Sequence, residues 1–274
     1  MKKVILTVSL VFFWVSIFEA HDQFLKLDTF FLKPNTTVSI SLLNGTFEKS
    51  ENAISRDRML DASIVGPESQ RIRPDTSQWR DVGKRAILDF KTGEPGTYVV
   101  GVSTATKTIQ LSAKDFNEYL KHDGVLDILA LREKHNELGR DAAELYSKHV
   151  KSIIQVGGKR TKGFSARLGY PIEIVPLQNP YDLKQGDTLE ILVLRDGKAV
   201  PNQLVYASYE GFHEHDDESG HREAIQTRTD KGGLARLQLE ESGRWYIRLI
   251  HMERSAQKEL DYESNWATLT FEIQ

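Results

Sequence analysis

The chain contains no cysteine among its 274 residues. Disulfide bridges, thiolate metal sites and cysteine nucleophiles are therefore excluded, and so is a lipid anchor attached to cysteine. Any transition metal that this chain binds must be held by imidazole, amine or carboxylate groups. That donor set suits Ni(II), Co(II), Cu(II) or Zn(II).

Strong net charge and catalytic signatures are also missing. The formal net charge is only −3, with 36 Lys and Arg residues against 39 Asp and Glu residues, so no nucleic-acid partner is indicated. The chain has no Gly-x-Ser-x-Gly elbow and no His-Glu-x-x-His pair, which are signatures of hydrolytic enzymes. Hydrophobic residues make up 39% of the chain, enough for real cores. The composition favours a folded protein, and the missing signatures favour one that is not an enzyme.

The first 20 residues read as a signal peptide. Lys2 and Lys3 precede an apolar run over residues 4–18, and Ala20 ends the segment. The run is too short for a comfortable membrane span, although an uncleaved anchor is the main alternative. Cleavage after Ala20 would leave an exported protein that begins at His21. A histidine at the first position offers an α-amine and an imidazole together, which is a two-nitrogen chelate for copper, nickel or zinc.

Two regions of the chain have the composition of β-sandwiches. Residues 21–111 contain alternating or β-branched segments such as residues 37–42 and 97–102, separated by turn residues. Residues 169–274 repeat this pattern with six further segments and with Asp-Gly and Gly-Gly turns. The sequence therefore predicts a mainly β protein with two immunoglobulin-like or transthyretin-like β-sandwich domains.

A helical insert is predicted between the two sandwiches, over residues 112–156. Phe116, Tyr119 and Leu120 recur at helical spacing after Ser112, which is a suitable N-cap. A second helical stretch is predicted over residues 140–154. Residues 157–168 are basic and rich in glycine, which predicts a solvated linker.

The second half of the chain resembles a known family. The segments that carry the resemblance are residues 169–177, Asn179-Pro180, Gly186-Asp187, residues 229–233, residues 243–251 and residues 264–272. With His21-Asp22 and residues 144–148, they resemble a domain-of-unknown-function family of exported bacterial proteins linked to periplasmic nickel or cobalt uptake. The resemblance covers most of the chain after the leader, and it implies that His21 and His251 are metal ligands.

Three further histidines lie close together in the sequence. His213 and His215 would point to the same side of an extended segment, and His221 can fold back across a turn at Ser219-Gly220. With the carboxylates between them they form a candidate metal site, and the alternative is that they are merely polar loop residues. His251 is a second candidate, which would form a copper-type set of one amine and two imidazoles with His21. His122, His135 and His149 are expected on the surface of the helical insert.

These observations lead to one hypothesis and two rivals. The hypothesis is a periplasmic, non-enzymatic binding protein for a divalent transition metal ion (Ni, Co, Cu or Zn), which delivers the ion to a membrane metal transporter. Its metal ligands would come from His21, His213, His215, His221 and His251. The first rival is a β-sandwich interaction module for protein or polysaccharide. The second is an oxidative enzyme with a copper brace built on His21.

Overall fold

Strands dominate the computed structural model, which describes residues 21–212 and 224–274. In chain order they are β1 (Asp22–Lys26), β2 (Phe31–Leu32), β3 (Thr37–Gly45), β4 (Met59–Val65), β5 (Arg71–Ile72), β6 (Trp79–Val82), β7 (Arg85–Lys91), β8 (Gly96–Thr104), β9 (Lys107–Leu111), β10 (Ala142–Val156), β11 (Ile172–Pro176), β12 (Thr188–Arg195), β13 (Lys198–Ala199), β14 (Leu204–Tyr209), β15 (Ile225–Arg228), β16 (Leu234–Gln238), β17 (Gly243–Arg254) and β18 (Tyr262–Ile273). The α-helices are α1 (Ala113–His122) and α2 (Leu126–Lys134). Short 3₁₀ turns cover Arg56–Arg58, Thr76–Gln78, Lys162–Ser165 and Pro180–Asp182.

The strands form three sheets, and the largest of them is the middle layer of the molecule. The first sheet has the order β1-β3-β7-β6, and the third contains β11, β12, β13 and β16. The ten-stranded middle sheet runs β15-β14-β17-β18-β10-β8-β4-β5, with β2 and β9 also paired to β10. On one face of it, Thr268 and Thr270 donate hydrogen bonds to the backbone of β1. On the other face, Lys151 of β10 meets Glu173 of β11.

The sandwich-type, mainly β fold predicted from the sequence is therefore confirmed, with one change in its organisation. Two separate sandwiches over residues 21–111 and 169–274 were expected. The structure instead joins both halves through one shared sheet, because β10 pairs in parallel with β18 and antiparallel with β8. One hydrophobic cluster accordingly runs through both halves, from Leu25 and Ile40 to Leu269 and Phe271.

The prediction of a second helix over residues 140–154 is wrong, because β10 occupies this stretch. Its side chains alternate between two faces that are both covered, so every position from Ser147 to Val156 is buried. A strand buried on both faces shows no alternation of apolar and polar residues. The apolar residues of this segment therefore match a helical period only by coincidence, and this match led to the wrong prediction.

The first half of the predicted insert is helical, as expected. The Ser112 hydroxyl accepts the backbone N–H of Asp115 at 3.2 Å and so caps α1. Phe116, Tyr119 and Leu120 are buried, and they pack with Tyr262 and Trp266 of β18 in a second hydrophobic cluster. The helices thus cover the part of the middle sheet that the first sheet leaves open.

The predicted linker at residues 157–168 exposes its basic residues as expected, but its backbone is tied to the fold. Thr161 accepts the Thr97 backbone N–H at 2.9 Å, and Gly163 lies so close to the Thr97 carbonyl that a Cβ atom there would collide with it. The basic composition suggested solvent, but the backbone of this segment is held by β8. Across the described residues, none of the helices has the length and apolar character needed to cross a bilayer.

Candidate ligand pocket at His21

A pocket of about 410 Å³ lies between the first sheet and the middle sheet, and His21 lines it. Gln23 of β1 and Asn44 of β3 form part of one wall, where they are cross-strand partners. The opposite wall belongs to β9, β10 and β18, with Tyr119 of α1 at one side. We call this space the His21 pocket.

His21 is fixed at this pocket by contacts on both its backbone and its side chain. The Lys148 ammonium group donates a hydrogen bond to the His21 carbonyl oxygen. The imidazole Nδ1 lies 3.4 Å from the Glu51 carboxylate, with only 14% of the His21 side chain exposed. A nitrogen and an oxygen donor therefore meet at this position.

Two buried ionisable groups of β10 face the same pocket. Glu144 and Lys148 are four residues apart on one strand, so their side chains project from the same face. Burial raises the pKa of Glu144 to about 7, although hydrogen bonds from Ser264 and Tyr119 oppose the shift. Burial also lowers the pKa of Lys148 to about 8, against the opposing charge of Asp22. Ionisable groups perturbed in this way and placed in a pocket are typical of functional sites.

His251 does not share this pocket with His21. It pairs across β17 and β18 with Asn265, whose sequence neighbour Trp266 lines the His21 pocket. Adjacent residues of a strand point to opposite faces of a sheet, so His251 and His21 lie on opposite sides of the middle sheet. The His251 ring instead bonds the Gln203 side chain at 2.9 Å. The shared site of one amine and two imidazoles is therefore wrong.

The candidate loop ligands His213, His215 and His221 lie outside the described residues, so that site stays a prediction. Within residues 21–212 and 224–274, no group of three or more His, Asp or Glu side chains is placed to hold a metal ion.

His149 is buried in the middle sheet, not exposed on a helix as the sequence suggested. Its Nδ1 bonds the Ser103 hydroxyl at 2.9 Å and its Nε2 bonds the Ser147 hydroxyl at 3.0 Å. Burial lowers its pKa to about 4, although the hydrogen bond with Asn265 opposes the shift. The ring is therefore neutral at physiological pH.

We expect His149 to make the fold sensitive to mild acid. Between about pH 6.5 and pH 4 the unfolded histidine takes up a proton and the folded one does not, so stability falls as the pH falls through this window. The loss approaches about 3 kcal/mol at the low end, at about 1.4 kcal/mol per pKa unit. Urea unfolding at several pH values measures the slope of stability against pH. His149→Gln should reduce this slope, whereas His135→Gln, at an exposed position, should leave it unchanged. Equal slopes in all three proteins would contradict the assignment.

A family model for a domain of unknown function, DUF4198, matches residues 18–253. The chain belongs to this family. No curated protein matches the chain. Among solved structures, Salmonella α-2-macroglobulin reacted with methylamine is 11% identical at a TM-score of 0.25, covering 91% of this chain and 15% of that one. The D0-D1 domain of intimin is 15% identical at a TM-score of 0.20, covering 91% and 97%. A chimeric titin Z1Z2 tandem is 10% identical at a TM-score of 0.21, covering 92% and 96%.

The DUF4198 match contains His21, its neighbour Glu51 and the two buried ionisable groups of β10 that line the His21 pocket. His21, Glu51, Glu144 and Lys148 all fall within the matched residues 18–253, whereas Trp266 of β18 lies beyond them. Sequence reasoning found His21 but missed its three polar neighbours. The available signal was in β10, where Glu144, Lys148 and His149 interrupt an apolar segment. That segment was interpreted as a helix, so its charged residues were not assigned to a site.

Proposed function

We propose that this DUF4198 protein is a periplasmic, non-enzymatic binding protein for a divalent transition metal ion, held at the mouth of the His21 pocket. The observation that carries the proposal is the 3.4 Å separation of the His21 Nδ1 and a Glu51 carboxylate oxygen. Two donors bound to one tetrahedral ion at about 2.0–2.1 Å each stand roughly 3.4 Å apart. The pair therefore has the spacing of two ligands of one ion.

The third donor in the proposal is the α-amine of His21, which exists only after cleavage behind Ala20. Amine and Nδ1 of one histidine close a chelate ring around a metal ion. The Lys148 hydrogen bond to the His21 carbonyl holds this residue in place, and a fixed ligand loses less conformational freedom when the metal binds. Intact mass of the exported protein tests the cleavage, because a protein that retains residues 1–20 has no such amine.

The donor set narrows the metals that fit. Two nitrogens and one carboxylate oxygen, with no thiolate in a chain that lacks cysteine, suit Ni(II), Co(II), Cu(II) or Zn(II) and disfavour Cu(I). Delivery to a membrane metal transporter is the biological role that we propose, in keeping with the resemblance to periplasmic nickel or cobalt uptake components. An interaction module remains the rival, and it would bind no metal stoichiometrically.

Glu51 provides a sharp test of the donor set. We expect Glu51→Gln to weaken Ni(II) or Zn(II) binding about tenfold, because the amide keeps the size of the side chain and removes its charge. Glu48→Gln is the matched control, since Glu48 is 51% exposed and pairs with Lys26 rather than with His21. Isothermal titration of the mature protein measures both variants. Equal affinity in Glu51→Gln and the unaltered protein would remove Glu51 from the site.

A further inference from the structure

Two polar atoms at the His21 pocket are buried and have no hydrogen-bond partner among the residues that the structure describes. They are the side-chain oxygen Oε1 of Gln23 and the Nε of Arg58, and both residues line the pocket. Gln23 is only 6% exposed. A buried polar group without a partner lowers the stability of the protein, and a bound molecule that supplies both partners removes that cost.

The charge of the pocket selects an anion. Its charged lining residues are Arg58, Lys107, Lys148 and Glu144, which are three cations and one acid. The Arg58 guanidinium lies 5.0 Å and the Lys148 ammonium 5.8 Å from the centre of the same Tyr146 ring. Two cations close to one ring favour a carboxylate between them. They also disfavour a ligand that carries an ammonium group of its own.

The unpartnered acceptor adds a second requirement. Gln23 Oε1 can only accept a hydrogen bond, so the ligand must donate one from a group that brings no positive charge. A hydroxyl group meets this condition. Part of the wall is apolar or aromatic, with Ile109, Leu111, Tyr119 and Trp266, beside the polar residues Asn44, Asn52, Ser55 and Thr104. The rings of Tyr119 and Trp266 lie parallel with centroids 5.9 Å apart.

We propose that the His21 pocket binds a small hydroxycarboxylate, with its carboxylate at Arg58 and Lys148 and its hydroxyl donating to Gln23. The volume of about 410 Å³ falls in the range of small-molecule sites. This ligand site uses none of the donor atoms assigned to the metal, so it stands whether or not the protein binds a metal ion. It makes the protein a receptor for an organic anion as well.

The test compares L-malate with succinate, two dicarboxylates that differ by one hydroxyl. Calorimetry is done with the full mature protein, freed of metal, at neutral pH. We expect malate to bind at least about fivefold more tightly, as one additional hydrogen bond provides. This comparison needs no variant and is therefore independent of folding. Equal binding of the two anions, or no binding of malate at millimolar concentration, overturns the proposal.

Variants then locate the binding. Gln23→Leu should erase the difference between malate and succinate, while Arg58→Gln and Lys148→Met should weaken both anions about tenfold. Lys114→Met is the control for lost positive charge, because Lys114 is 81% exposed on α1. If Lys114→Met weakens both anions as much as Lys148→Met does, or if sulfate competes as well as malate, the site recognises charge alone and the proposal fails.

Discussion

Lys151→Met should lower the free energy of unfolding by about 3–5 kcal/mol, as removal of one partner from a buried ion pair does. The Lys151 ammonium lies 3.0 Å from the Glu173 carboxylate, and 3% and 5% of the two side chains are exposed. Methionine keeps most of the volume of lysine and removes its charge. The Glu173 carboxylate would then keep its hydrogen bonds from the backbone N–H groups of Leu168 and Gly169 but lose the cation beside it.

Urea unfolding measures this effect, and two comparisons separate charge from packing. Adding Glu173→Gln to Lys151→Met should restore at least half of the lost stability, because a neutral amide no longer buries a charge. Arg236→Met breaks an exposed pair with Glu190, in which 65% of the arginine is accessible, and should change stability by at most about 1 kcal/mol. If Lys151→Met costs no more than Arg236→Met, the buried pair does not hold the two sheets together.

One glycine placed before His21 should weaken Zn(II) binding about a hundredfold, or about 2.7 kcal/mol. The extension converts the α-amine of His21 into a backbone amide. Zn(II) does not deprotonate such an amide at neutral pH and therefore cannot bind its nitrogen. Imidazole and the Glu51 carboxylate remain, so only the chelate ring is lost. Zinc is the right probe for this comparison, because Cu(II) and Ni(II) can bind deprotonated amides and would mask the loss.

Both proteins are prepared by cleaving a fusion so that the chain begins either at His21 or at the added glycine. Titration by competition with a zinc indicator gives the two affinities. His251→Ala is the control, since its ring lies on the other face of the middle sheet and bonds Gln203, and it should leave affinity unchanged. A harmless extension would show that the amine is not a ligand.

The sequence predicted β3 and β8 from alternating or β-branched residues, although β8 is buried at every position, and it failed at β10. β3 alternates in burial over Ser39–Leu42, and the alternation of polar and apolar residues in its sequence predicted this strand. β10 is buried on both faces, so Val150, Ile153 and Ile154 carried no alternation that could distinguish a strand from a helix. The shared middle sheet depends on the pairing of β10 with β18, more than 100 residues apart, which no local pattern encodes.

The candidate site was predictable only in its first residue. His21 was found because of its position after the predicted leader. Glu51 reaches His21 from the loop after β3, where its backbone N–H bonds the Asn44 carbonyl. Glu144 and Lys148 line the pocket because the first sheet packs on β10. His251 was paired with His21 on a family resemblance, yet strand register assigns it to the opposite face. Whether a residue lies at an odd or an even position of a strand decides which face of the sheet it occupies. Comparing His251 with His21 in this way requires the strand pairing, which the sequence alone did not provide.

Pulsed EPR of the Cu(II)-loaded mature protein tests the central claim most directly, because it reports the nitrogen atoms bound to the metal. The metal-site account predicts coupling to the Nδ1 of one imidazole and to one amine nitrogen. The imidazole coupling should vanish in His21→Ala and persist in His251→Ala. A spectrum with two or more bound imidazoles, or one that His21→Ala leaves unchanged, would contradict a metal site at the mouth of the His21 pocket.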